Sequence, residues 1–401
     1  MDQQSDVVIV GGGICGVACA LALQRKGIRS VVLERSDDLR VTGTSIIMAS
    51  NGWYALEQLG VASMLRHTAV LIERATRVNL ASGARTPLTF GIAQGEKAEV
   101  RSLKRKDLLE VMAGQLFPNT IYFGRRVTSM EMDPDTLCPL LALNDGTQLK
   151  AKIVIGCDGA NSLIGKHIGL KDSDMLPVTV VRGFTRYEDG HPFENEMMVW
   201  NSPPPEIQVG RLPMTNKVVY WFVCWGVTSE DSAIADNPKL IKESTLRAVQ
   251  SFPKEAQDMI KVCHEESLHL GQPRYRRPWE LLRRNFHKGA VVLAGDALHS
   301  MGPFIAQGGA ASLEDAVVLA RCLSVALHKE KSFISPTLVE KALIQYGKER
   351  RMRVVKLMTQ SYLLATLMWP SSRFMKIFAL ILLIVFFGRA GDQANFKCGE
   401  L

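Results

Sequence analysis

Asp6-Val7-Val8-Ile9-Val10-Gly11-Gly12-Gly13-Ile14-Cys15-Gly16-Val17-Ala18-Cys19-Ala20 runs from an apolar stretch through a glycine cluster into small residues. Val7–Val10 read as a strand buried on both faces. Ile14–Lys26 read as a helix whose Ala18, Ala20 and Ala22 allow close helix–sheet packing. Between them, Gly11–Gly16 fits G-x-G-x-x-G. The first glycine permits a tight turn, the second lets the backbone approach a pyrophosphate, and the third lets helix and strand pack closely. The helix N-terminus then presents free N–H groups to an anion. A second strand, Ser30–Glu34, ends on an acid 18 residues after Gly16, where a carboxylate accepts the hydroxyls of an adenosine ribose. Because that carboxylate repels a 2′-phosphate, the pattern predicts FAD or NAD at this site and not NADP.

Outward from this unit, Lys152–Ile155 and Ala290–Ala294 read as further buried strands of one sheet. Each leads into a glycine–acid turn: Gly156-Cys157-Asp158-Gly159-Ala160-Asn161-Ser162 after the first, Gly295-Asp296-Ala297-Leu298-His299 after the second. Asp296 at a strand end suits a sugar or ribityl hydroxyl. Gly308-Gly309 opens a helix whose N–H groups can stabilise a developing anion. Between the strands, Met197–Trp200, Ile207–Arg211 and Lys217–Gly226 carry aromatic and β-branched residues separated by turn signals, a pattern of antiparallel strands. Beyond Ser312 the spacing is helical.

Taken together, the three glycine motifs resemble the fingerprint of the class A, single-component FAD monooxygenases with the p-hydroxybenzoate hydroxylase fold. Glu99-Val100-Arg101-Ser102-Leu103-Lys104-Arg105-Lys106-Asp107-Leu108-Leu109, Gly156-Cys157-Asp158-Gly159 and the ending Cys398-Gly399-Glu400-Leu401 are similar to the plant group that includes salicylate-hydroxylase-like proteins and zeaxanthin epoxidase. The resemblance implies an α/β fold: a Rossmann-like FAD/NAD(P)-binding domain, an inserted antiparallel β-rich substrate domain and a C-terminal helical tail. We place the FAD domain at 1-75, 100-175 and 285-330, the substrate domain at 76-99 and 176-284, and the tail at 331-401.

The same resemblance implies the site. Gly11, Gly13, Ile14, Cys15, Gly16, Glu34, Arg35, Arg105, Val127, Asp158, Asp296, Gly308 and Gly309 would hold non-covalent FAD, with Arg105 reaching the cofactor from a helix start. Pro303 matches the proline lying against the flavin where oxygen reacts, and His299 is the one candidate acid–base residue, though it more readily serves to orient its loop. NAD(P)H would visit transiently, since only one G-x-G-x-x-G has the strand–helix context. O2 would add at flavin C4a, and one oxygen atom would pass from that hydroperoxide to an electron-rich substrate in a hydroxylation or epoxidation. Three departures bear on substrate shape and nicotinamide contacts: Gly165 where an arginine is usual, Ser300-Met301-Gly302-Pro303 for Pro-x-x-Pro, and Ala310-Ala311 after the glycines.

Phe184, Trp200, Gln208, Tyr220, Phe222 and Pro303 are the candidate substrate walls. Their low charge favours an apolar or aromatic small molecule of the kind met in plant specialised metabolism. Two other readings stay open: a flavin-dependent reductase or dehydrogenase of a membrane lipid, and a non-catalytic FAD-binding protein recruited to membranes.

Composition bounds the rest. At about 150 residues per domain, 401 residues allow two or three domains, and 47% hydrophobic with 22% charged residues excludes disorder. A net charge of +8 suits anionic cofactors or headgroups and is too scattered to predict nucleic acid. The eight cysteines lack a C-x-x-C pair, so they read as reduced thiols with no metal, and the N-terminus lacks an apolar leader. A cytoplasmic monomer or weak dimer is the expectation. The slightly positive mean hydropathy of +0.05 comes largely from the tail, where Leu363–Trp369 and Ile377–Phe387 flank Pro370. The 11-residue run 377-387 is shorter than the roughly 20 residues a membrane span needs. It can pack as a cap, or make peripheral membrane contact with Arg373, Lys376 and Arg389 at headgroup depth.

Overall fold

Val7, Val8 and Ile9, the centre of the opening run, are wholly removed from solvent, as are Ile153–Ile155 and Val291–Leu293. In a computed structural model, which describes residues 4–39, 45–88, 99–203, 206–327, 335–368, 372–387 and 393–401, these runs are neighbours in one sheet. Strands β1 (Gln4–Val10), β2 (Val31–Leu33), β4 (Ile121–Tyr122), β5 (Gln148–Gly156) and β10 (Val291–Leu293) pair in parallel in the order β10-β5-β1-β2-β4. Apolar side chains on both faces require cover on both faces. Part of that cover is helix α1 (Ile14–Arg25), which packs on α2 (Gly308–Leu327). The strand order turns at β1, so the glycine loop opens where ligands of such sheets bind. An antiparallel hairpin, Val127–Met132 with Pro139–Leu143, extends β5.

A second sheet holds β3 (Arg74–Asn79), β6 (Val178–Arg186), β7 (Glu196–Asn201), β8 (Gln208–Pro213) and β9 (Val218–Gly226) in the order β6-β9-β8-β7-β3. The antiparallel strands expected from 197 to 226 are present. β3 joins them from far upstream and runs parallel to β7. One face of this sheet carries Val181, Trp200, Val209, Trp221 and Trp225, which pack with Ile241, Phe252, Met259 and Ile260 of the helices that follow. The other face looks back toward the glycine loop.

The tail is helical: α3 (Pro336–Met368) lies against α2, and α4 (Arg373–Phe387) lies against α3. Its two apolar pieces behave differently. Leu363 and Ala365 are buried, whereas α4 leaves Phe374, Ile377, Phe378, Ile381, Ile384, Val385 and Phe386 exposed and buries only Ala379. The 377-387 run is therefore not a cap over the core. Among the described residues no helix is long and apolar enough to cross a membrane. Trp369, Pro370 and Arg389, to which part of the tail reading attached, lie outside the described residues.

Candidate active site

The glycine loop is closed by contacts that no side chain could share. A Cβ on Gly16 would lie 1.9 Å from the Gly11 carbonyl oxygen, and one on Gly11, at φ +104°, would lie 2.5 Å from that of Cys157. Gly13, by contrast, faces open space whose nearest boundary is the Arg105 guanidinium, 3.9 Å from the same construction. The turn is thus locked beneath and vacant above, beside a cation and at the N-terminus of a 12-residue helix, which is what a pyrophosphate needs. Glu34 fixes the adjoining corner. Its Oε2 accepts the Gly12 N–H at 2.7 Å and its Oε1 the Ser36 N–H at 2.9 Å. Each oxygen keeps a second lone pair, so ribose hydroxyls can still donate to it.

From this loop a cavity of about 570 Å³ extends to the second sheet. Gly13, Ile14, Cys15, Arg105, Asp296, Pro303, Gly308 and Gly309 border it on one side, and Gln208, Tyr220 and Phe222 on the other. Cβ atoms on Gly308 or Gly309 would meet nothing closer than Asp296 Oδ1 at 3.9 Å and Ile46 Cγ2 at 3.6 Å. Two long helices, α1 and α2, therefore aim their N-termini into one cavity. The residues fit FAD: Glu34 would take the adenosine ribose, Gly13 and Arg105 the pyrophosphate, Asp296 the ribityl chain, and Pro303 and the Gly308 turn the ring.

Strand alternation sorts the walls. Val178, Val180 and Arg182 of β6, Tyr220, Phe222 and Cys224 of β9, Gln208 and Leu212 of β8, Met197 and Val199 of β7, and Arg77 of β3 line the cavity. Gly210 leaves room for the Phe222 ring, whose Cε1 is 2.2 Å from where a Cβ would stand. Burial pushes the Tyr220 hydroxyl up to about 12 against the nearby Arg182 charge, so it stays a neutral donor. Burial likewise lowers the pKa of Arg77.

Several expected site residues stand elsewhere. Trp200 is one residue out of phase with the cavity face and belongs to the opposite core, where Arg211 lies over its ring. Phe184 is on the cavity side but packs edge-on against Tyr220 at 5.4 Å, outside the lining. Arg35 is exposed beyond Glu34, and Val127 is buried in the core. Asp158 turns its carboxylate into its own chain: Ser162 Oγ donates to it at 2.5 Å and the Leu163 N–H at 2.7 Å, so it caps a helix start and is not among the residues lining the cavity.

His299 is fully buried and outside the cavity lining. Its Nε2 donates to Asp315 Oδ2 at 2.6 Å, which also accepts the Gly295 N–H at 2.8 Å. Arg350 Nε donates to Asp315 Oδ1 and its Nη1 to Glu314 Oε2, both at 2.7 Å. Arg353 and Asn51 complete the ring around Glu314. Burial alone would push Asp315 up, but the charges of His299 and Arg350 outweigh it and hold it at about 2. Glu314 is lowered the same way by Arg350 and Arg353. His299 therefore ties the Gly295–Pro303 loop to α2 and lies outside the cavity lining.

What the sequence reading missed is charge. Arg77 and Arg182 put two cations among the apolar walls. Arg182 was legible, since it is two residues before Phe184 on the same alternating face. Arg77 was not, because nothing upstream announces that β3 joins this sheet.

A family model described as FAD binding domain matches residues 4–361, and the chain belongs to that family of FAD-dependent monooxygenases. It is 39% identical to Monooxygenase 1 of Arabidopsis thaliana over 100% of both chains, and 34% identical to Monooxygenase 2 of the same plant over 99% of this chain and 98% of the other. Its fold is that of Klebsiella pneumoniae HpxO complexed with FAD and uric acid, at TM-score 0.79 and 20% identity, covering 97% of this chain and 96% of that one. FAD is thus the cofactor, with NAD(P)H and O2 as the co-substrates typical of the class.

Proposed function

We propose that the protein transfers one oxygen atom from O2 to an aromatic or otherwise apolar small molecule that carries an acidic group. The cavity carries this reading: a mostly apolar chamber between the FAD-binding turns and one sheet face, with Arg182 and Arg77 set into its walls. A charge-assisted hydrogen bond from an arginine is stronger than a neutral one, so an anionic substituent would fix which ring edge faces the flavin. This adds an acidic group to the apolar or aromatic small molecule that the wall residues alone suggested. FAD supplies the redox and oxygen chemistry when bound. The chain binds and orients it through Glu34, Arg105, Asp296 and the α2 N-terminus, while Pro303 and Phe222 help exclude water.

The exposed apolar face of α4 supports a location at a lipid surface. Contiguous exposed apolar patches mark contact sites, and a helix too short to span can lie in the interfacial plane. NAD(P)H oxidation followed with aromatic acids and their neutral analogues tests the assignment. The acids should accelerate it and yield products one oxygen atom heavier. Equal acceleration by the neutral analogues would remove the acidic group from the reading, and product formation without O2 would identify a reductase instead.

A further inference from the structure

The sequence pair Cys15 and Cys19 acquires a third member in the fold. Cys157, just beyond β5, brings its Sγ to 3.6 Å from Cys15 Sγ, and the three sulfurs lie within 4.8 Å of one another. Cys15 is in the first turn of α1 and also packs against Gly295, where a Cβ would be 2.8 Å from its Sγ. Cys15 and Cys157 both border the cavity, whereas Cys19 lies behind them. We propose that Cys15 and Cys157 are an oxidation site: a vicinal dithiol that hydrogen peroxide closes to a disulfide, tying the phosphate-loop helix to the end of the neighbouring strand.

The chemistry balances. Cys15 attacks one peroxide oxygen as its proton passes to the Cys19 thiolate, giving Cys15 sulfenic acid and hydroxide. Cys157 then displaces hydroxide from that sulfur, its proton leaving with the hydroxide as water, and the S–S bond forms. Two thiols and one H2O2 become one disulfide and two waters, the thiol protons leaving in the water. An enzyme that reduces O2 is exposed to peroxide whenever the oxygen atom fails to reach substrate. Hydrogen bonding from Cys15 and then Cys157 draws Cys19 down to about 6, while the same sulfur contacts and burial leave Cys15 and Cys157 well above the ordinary thiol range, so Cys19 is the thiolate beside Cys15 that accepts its proton. The contact must shorten from 3.6 Å to about 2.05 Å, a movement of the first turn of α1.

The test uses the FAD-loaded protein without substrate. After brief treatment with stoichiometric hydrogen peroxide, the chain is alkylated under denaturing conditions and mapped by mass spectrometry. The expected result is loss of two hydrogens, a Cys15–Cys157 linked peptide pair, and return of both alkylation sites with dithiothreitol. Cys224, on the far wall of the same cavity in the second sheet, should stay alkylatable. Full alkylation of Cys15 and Cys157 after peroxide would overturn the proposal, as would a link from Cys15 to Cys19. In Cys157→Ala, Cys15 should instead become trappable by dimedone as the sulfenic acid; failure of trapping in a folded variant would also overturn it.

Discussion

Replacing Asp315 by asparagine removes one charge and one acceptor while keeping the side chain's shape. In the native protein its two oxygens accept from Arg350 Nε, His299 Nε2 and the Gly295 N–H, all within 2.8 Å and fully buried. Asparagine offers one oxygen, so at least one of those donors must face an amide NH2. Holding the carboxyl at about 2 instead of its ordinary 3.8 corresponds to about 2 kcal/mol. A buried donor left without an acceptor adds about 1–3 kcal/mol, so Asp315→Asn should destabilise by about 3–5 kcal/mol at pH 7. The sign with pH follows from the depressed folded-state pKa. The native contribution is complete above pH about 4, where the unfolded carboxyl ionises, and disappears as pH falls toward about 2. Urea denaturation of both proteins at pH 7 and pH 3 measures this directly. A variant within about 0.5 kcal/mol of wild type at pH 7, or a difference that fails to narrow at pH 3, would refute the buried-network account.

Gly16→Ala places a methyl 1.9 Å from the Gly11 oxygen, so the folded fraction should purify without flavin absorbance; a stoichiometric FAD content would show that the turn can relax. Arg182→Met keeps length and apolar bulk but removes the charge-assisted bond, about 1.5–3 kcal/mol. For acidic substrates KM should rise roughly tenfold to a hundredfold, with Tm little changed and neutral analogues unaffected. Paired charges on the α4 face, Phe378→Glu with Ile381→Glu, should abolish co-flotation with anionic vesicles while leaving FAD content intact. Equal flotation of that variant and wild type would remove α4 from the lipid contact.

The phosphate loop was readable because steric necessity writes itself into sequence: only glycine fits where a carbonyl lies 1.9 Å away. Parallel strands buried on both faces announce themselves by unbroken apolar runs, and β1, β5 and β10 were found that way. Assigning the second sheet's faces was harder. Trp200 and Val199 look equally suited to a cavity wall, and only the register with β8, Trp200 opposite Val209, shows which of them turns inward. The capping role of Asp158 was hidden for a different reason. A motif aspartate can serve a ligand or its own backbone, and the choice depends on where Ser162 and the next helix turn lie. The charges at Glu314, Asp315 and Arg350 give no local signal of burial, because their compensation comes from residues 16 or more positions away.

The ring of charges around Glu314 also bears on biosynthesis. The acids lie in α2, whose N-terminus completes the cavity, yet their counter-ions Arg350 and Arg353 are in α3. A chain emerging from the ribosome therefore carries both acids, and the whole glycine loop, before it carries the two arginines; only His299, upstream of them, is there to face Asp315. A truncation before residue 350 should therefore leave Glu314 buried without either counter-ion, at the head of the helix that completes the cavity.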